Sequence, residues 1–308
     1  MSKKVFKNLD EQVEIFKNRG LVIKDLEKTK EILLRENYFF INGYRHLFLK
    51  ENGTDFINGT TFEELYAMFV FDRKIRNIFF KNLLIVENNI KSLFSYELSK
   101  KYGFKEKDYL NPKNFSHDPM KVRQVHDVLN KVKRQIRING KQHTATMHYI
   151  NNYGYIPMWI LVKVLSFGII GEFYNILEYN DQQDIASIYN LDVETLSIYL
   201  SILSNYRNLC AHEDILYDHK TQRSIPDCYY HEYLNIQRID DEYIKGKNDV
   251  FSVVIIMKYL LSTDEFRDFI NEISYEVDIL DGKTNTVGIN TFLDKMGFPS
   301  TWRSIMDK

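Results

Sequence analysis

An all-α fold is what this sequence predicts, on three observations. Apolar residues recur at helical spacing almost throughout the chain. Start and stop signals for helices bracket those periodic segments. The 13 Gly and 5 Pro in 308 residues are too few for the many tight turns of an all-β chain. A hydrophobic fraction of 44% and a charged fraction of 27% are those of a globular protein. The length allows one large or two modest domains, with ample core.

The elements run in order from the N-terminus. A helix begins at about Asp25, and an aromatic extended segment succeeds it around Gly43. The loop "ENGTDFINGTT" comes next. Thr61 with Glu64 three residues on is a capping-box signature. It opens a run with Leu65, Met68, Phe69, Ile75, Phe79, Leu83, Val86, Ile90 and Phe94 on one periodic pattern. The run stops at Gly103, where a left-handed cap fits, and is either one very long helix or two joined near Asp72. "NPKNFSHDP" is irregular. From Lys121 the spacing of Val125, Val128, Leu129, Val132 and Ile136 is again helical, until "INGK" breaks it. Further helices are expected at 158–166, 170–178, 181–188 and 193–211, the last capped by Asp192. The pattern weakens past Ile225-Pro226 and resumes near 250–261 and 264–277. This divides the chain into an N-terminal helical element (1–58), a helical core (59–220) and a helical C-terminal appendage (221–308).

Composition excludes several classes. Two cysteines, Cys210 and Cys228, make neither a disulfide framework nor a thiolate zinc site. The N-terminus has no apolar core of a signal peptide. "IPMWILVKVLSFGIIGEFY" contains Lys163, two glycines and Glu172, and so reads as a buried helix pair, not a membrane span. A cytoplasmic protein without membrane contact is the expectation. The net charge of -1 conceals an asymmetry. Lys121, Arg123, Lys131, Lys133, Arg134, Arg137 and Lys141 face one acid, Asp127, within 21 residues, whereas 264–281 holds seven acids and only Arg267. With Tyr149, Tyr153 and Tyr155 close behind, the basic stretch fits phosphate contacts plus base stacking in RNA; the bland alternative is a solvated helix face.

One stretch carries candidate chemistry: "NYRNLCAHEDILYD", Asn205 to Asp218. If it continues a helix, Asn208 and His212 stand one turn apart on one face, with Arg207 beside them and Leu203, Leu209 and Cys210 turned to the core. RNA carries its own nucleophile, the 2′-hydroxyl, next to the scissile phosphate. Its cleavage needs no metal, only a proton-transfer group, a cation and a group that holds geometry. Histidine titrates near neutrality, arginine binds phosphate oxygens through a planar fork, and asparagine hydrogen-bonds without altering charge. The spacing itself is weak, because chance supplies about one Arg-to-His separation of five to seven residues in such a chain. The second pair present, Arg137 to His143, has Ile138 in place of the polar neighbour and Gly140 as a helix breaker. The alternative for His212 is a satisfied core histidine.

"YRNLCAHEDILYD" resembles the signature of Abi-type abortive-infection proteins of the AbiD/AbiF kind, members of the HEPN superfamily of helical ribonucleases. Three further blocks resemble the same family in the same order: "RGLVIKDLEKTKEILLRENYFFINGYRHLF", "LYAMFVFDRKIRNIFFKNLLIVENNIK" and "IPMWILVKVLSFGIIGEFY". Together they cover roughly residues 19–218. The resemblance implies a HEPN-like helical bundle and a metal-independent endoribonuclease toxin that halts growth during phage infection. It further implies a homodimer whose two Arg-His sets line one cleft, and restraint by a small non-coding RNA as in some relatives. By matching position, Arg207, Asn208 and His212 inherit the catalytic roles.

Glu87 with Lys91 is an ordinary exposed helical ion pair or, from the matching block, a group behind the site. His212, Asp218 and His219 lack the spacing of a metal motif, so neither a metal nor another cofactor is expected. Two other classes remain open. One is a non-catalytic RNA-binding module of a defence system; the other is a helical protein-interaction scaffold.

Overall fold

A computed structural model describes residues 5–51, 53–140 and 142–307. Helices α1 (Leu9–Asn18) and α2 (Leu26–Glu36) open it, each started by a side-chain cap. Asp25 accepts the N–H of Lys28 at 3.0 Å, where the sequence predicts a helix start. Asn37 then takes φ 70°, ends α2, and caps α3 (Tyr38–Asn42) by accepting the N–H of Phe39. A 3-10 turn, Gly43–Phe48, comes directly after it. The aromatic segment around Gly43 is therefore helical, not extended. Its backbone groups are met chiefly by the helical turns themselves, and only at its end does Phe48 O accept the N–H of Ile57.

Helix α4 (Phe62–Tyr102) is one unbroken helix of 41 residues, about 60 Å long at 1.5 Å per residue. No Pro or Gly interrupts it, so nothing in the sequence forces a joint near Asp72. Its capping box forms as predicted, with Thr61 and Glu64 answering each other's backbone N–H groups. Gly103 ends it at φ 93° and ψ 177°, a positive φ that favours glycine, though not the left-handed helical cap.

The remaining helices pack around this pillar. After α5 (Glu106–Tyr109) comes α6 (Val122–Asn139), which buries Val125, Val128, Leu129 and Val132. Next in the chain are α7 (Thr144–Tyr153), α8 (Met158–Val164), α9 (Phe167–Ile176), α10 (Tyr179–Ser187) and α11 (Val193–Ala211). Helix α9 starts three residues earlier than its apolar pattern because Ser166 caps it, accepting the N–H of Ile169. Helices α8, α10 and α11 contact α4, and α9 sits between α6 and α11. No helix among the described residues is long and apolar enough to cross a membrane.

Past residue 220 the chain forms α12 (Tyr229–Tyr233), a two-residue antiparallel pair β1 (Arg238–Ile239) and β2 (Glu242–Tyr243), then α13 (Val250–Leu260), α14 (Thr263–Asp281) and α15 (Ile289–Lys295). Helix α14 lies along α4, where Phe79 and Phe269 meet edge to face at 5.1 Å. The acids of 264–281 are partly matched there, Glu276 by Lys74 and Glu272 by Lys81. One carboxylate, Glu64, joins the two ends of the sequence: besides capping α4 it accepts the N–H groups of Asn285 and Thr286. Buried residues of all three segments, Phe16, Phe79 and Phe269 among them, share one hydrophobic core.

Candidate active site

Helix α11 packs against α4, and this brings Arg207 to Glu87. The guanidinium donates to the Glu87 carboxylate (Nε–Oε2 3.2 Å) and lies 5.7 Å over the ring of Phe80. Lys91 donates to the other carboxylate oxygen at 2.6 Å. Glu87 is only 6% exposed, so the pair with Lys91 is not the exposed one that i,i+4 spacing alone implies. One buried carboxylate thus stands between two cations. It fixes Arg207 while leaving about a third of that side chain open to solvent.

The helix does not run on through His212. It ends at Ala211 and His212 is its C-cap, its N–H bonded to the carbonyl of Asn208 at 3.0 Å. Glu213 then takes φ 58°, and Asp214 N–H returns to Leu209 O at 3.2 Å, a Schellman closure with glutamate where glycine is usual. Asn208 and His212 remain one turn apart, and both are exposed. Among the described residues no hydrogen bond joins the side chains of Arg207, Asn208 and His212, and His212 is not a buried core histidine.

A second carboxylate of α4 holds the segment just beyond His212. Asp72, fully buried, accepts the backbone N–H groups of Leu216 (3.1 Å) and Tyr217 (2.8 Å), the hydroxyl of Tyr44 (2.7 Å), and the guanidinium of Arg76. Burial pushes the Asp72 carboxyl above its ordinary value, while Arg76 and the other donors pull against that rise. The rings of Tyr44 and Tyr217 pack at 5.7 Å. Residues 216 and 217 are therefore clamped down on α4, and His212 stands at the start of the turn that leads into them. Under that turn His219 bonds Asn205 (2.7 Å) and stacks edge-on to Tyr206; burial lowers its pKa.

Motif spacing did not reveal Asp72, Arg76 and Tyr44 as a unit. A signal was present, since Asp72 and Arg76 are charged residues set i,i+4 among Phe69, Phe71, Ile75 and Phe79, positions that must be buried. Phe80 carried no comparable signal.

The basic stretch folds as α6 with its cations unevenly used. Lys121 donates to Asn175 O, and Lys131 is paired with Glu172 at 2.7 Å. Arg123, nearly fully exposed, has Asp127 at 3.9 Å. Lys133, Arg134 and Arg137 are exposed and have no hydrogen bond or ion pair among the described residues. Lys141 lies outside the described residues.

Helices packed about one long pillar, with Arg207 and the segment just after His212 held by buried acids of that pillar, define an all-α protein. The family described as Abi-like protein matches residues 31–218, more than half of the chain. The chain belongs to that family, whose description points to abortive-infection defence. The match begins inside α2 and ends one residue after the Asp72 clamp, so it contains Tyr44, Asp72, Glu87, Arg207 and His212. No curated protein and no solved structure matches the chain.

Proposed function

We propose that this protein is a metal-independent endoribonuclease of the HEPN kind, a toxin acting in abortive infection. The observation that carries the reading is the bridging of Glu87 between Arg207 and Lys91, with Asn208 and His212 exposed within one turn. A cation oriented by a buried acid is preorganised for charge that develops on phosphate oxygens. An exposed histidine nearby is placed to serve as a proton-transfer group.

In this reading the RNA 2′-hydroxyl attacks the adjacent phosphorus and the bond to the 5′-oxygen breaks. The products are a 2′,3′-cyclic phosphate and a 5′-hydroxyl. His212 is the general acid/base, Arg207 stabilises the phosphorane, and Asn208 orients the phosphate or ribose. A single set of these groups sits at the exposed C-terminal end of α11, and a second copy that completes a cleft, hence a homodimer, is part of the proposal. Restraint by a small non-coding RNA belongs to it as well.

The test is incubation of purified protein with RNA in excess EDTA, with end-group analysis of the products. Cleavage with cyclic-phosphate ends, abolished in His212→Ala, supports the reading; magnesium-dependent cleavage that survives His212→Ala sinks it. Light scattering of the protein bound to RNA tests the dimer, and a strict monomer contradicts it. A second reading, a non-catalytic RNA-binding module, draws on Lys133, Arg134 and Arg137, exposed cations without an ion pair among the described residues. It expects charge reversal at Lys131, Lys133 and Arg134 to abolish function while His212→Ala preserves it.

A further inference from the structure

Between α4, the start of α7 and α8 lies a cavity of about 590 Å³ that no step of the cleavage reaction uses. Lys91, Asn88 and Ser92 form its α4 wall, Trp159 and Lys163 its α8 wall, and His143 closes one end. No carboxylate lines it among the described residues. Trp159 and Lys163 are one helical turn apart, so indole and ammonium share a face, and Trp159 is 44% exposed. Lys163 has no acidic partner among the described residues. The ring of His143 closes that end with its Nδ1 atom turned away from solvent, without a hydrogen-bond partner among the described residues.

The walls continue outward as aromatic surface. Trp159 lies 6.4 Å from Phe104, which lies 5.5 Å from Tyr155, with Tyr153 6.3 Å further on. Lys105 sits over both Phe104 and Tyr155. Tyr153 is 57% exposed and Phe104 43%, so these rings are only partly spent on the core. Inward, the cavity touches the candidate active site through one residue. Lys91 lines it and donates to Glu87, the same carboxylate that holds Arg207.

We infer that this cavity binds one nucleotide, its base stacked on Trp159, its phosphate held by Lys163, and its polar edges met by Asn88 and Ser92. An exposed aromatic face with cations and neutral amides, and without acids, fits a base joined to a phosphate. The volume suits a small-molecule site. The adjoining aromatic row offers places for neighbouring unpaired bases, so the pocket is a subsite for single-stranded RNA, joined to the carboxylate that holds Arg207 through Lys91. The role in cleavage rests on the ribonuclease reading; the nucleotide chemistry rests on the pocket walls alone.

The test uses the full chain carrying His212→Ala, so that no probe is cut, and a fluorescently labelled octauridylate read by anisotropy. Trp159→Ala and Lys163→Glu, both at exposed positions, are each expected to weaken binding about tenfold or more. Tyr275→Ala, exposed on α14, is expected to leave it unchanged. Tryptophan emission gives a second measurement, because Trp302 is only 3% exposed and Trp159 is the accessible indole. Quenching by octauridylate or by uridine monophosphate supports the pocket and tells whether the nucleotide enters in a chain or free. Unchanged affinity in both variants, or no quenching by either probe, overturns it. Cleavage by the wild type with Trp159-independent binding would remove the pocket and keep the ribonuclease. Trp159-dependent binding without cleavage would do the reverse.

Discussion

The carboxylate of Asp72 accepts the backbone N–H of Tyr217 at 2.8 Å across 145 positions of sequence. That bond, with its neighbour at Leu216, ties the segment after His212 to the long helix that also carries Glu87. Two acids on one helix thus position the two ends of the candidate motif.

Asp72→Ala leaves Arg76 buried without its partner and two backbone N–H groups without an acceptor. Stability is expected to fall by about 3–5 kcal/mol. Urea melts measure the loss, and hydrogen exchange at Leu216 and Tyr217 should accelerate far more than at Leu200 in mid-α11. Equal acceleration at both places would show that no local clamp exists.

Glu87→Gln keeps the side-chain shape and removes the charge that orients Arg207. Under the ribonuclease reading proposed above, RNA cleavage is expected to slow by about a hundredfold, the cost of a misplaced cation, with RNA affinity changed much less. Single-turnover kinetics beside anisotropy separate the two. An undiminished rate constant would mean that Arg207 needs no such hold.

Lys133, Arg134 and Arg137 are available for phosphate. Reversing all three to Glu is expected to weaken RNA binding and to reduce the slope of log affinity against log salt by about 2, at roughly 0.7 per phosphate on a single strand. An unchanged slope would return α6 to a solvated surface.

Asp249 caps α13 by accepting the N–H of Ser252 and also accepts the N–H of Gly246, and burial pushes its pKa from 3.8 up to about 6. The folded state therefore holds this proton over a range where the unfolded state has lost it. The contribution to stability is complete below about pH 4 and disappears as pH rises through about 6. Melting temperatures from pH 4 to 7, for wild type minus Asp249→Asn, should decline along that range. A flat difference contradicts the assignment.

Gly297 abuts the same carboxylate, and a Cβ there would lie 2.1 Å from it. At φ 82° the backbone also disfavours any side chain. Gly297→Ala is expected to cost about 3 kcal/mol, overpacking and strain together. A loss below about 1 kcal/mol in chemical denaturation would show that Asp249 can move aside.

Helix α4 was legible as a start, a stop and an apolar stripe, because capping and periodicity are local properties of neighbouring residues. Whether it bends near Asp72 was not, since either geometry satisfies the same stripe. The segment at Gly43 was misread as extended, because aromatic residues favour strands only when a partner strand exists. For the motif, residue types and order pointed to Arg207, Asn208 and His212, while spacing alone could not tell a site from coincidence.

The sequence by itself determined the all-α class, the start and stop of the long helix, the extent of α11 and α13, the capping box of Thr61 and Glu64, and the basic character of α6. These depend on interactions within a few residues, and the chain carries their signals in order. Only the tertiary structure decided that Glu87 grips Arg207, that Asp72 clamps residues 216 and 217, that His212 is a cap and not a helical residue, and that Trp159 meets Lys91 across a cavity. The grips of Glu87 and Asp72 reach across more than a hundred positions. They exist because the long helix offers buried charged groups at fixed intervals, and burial makes each of them demand a partner.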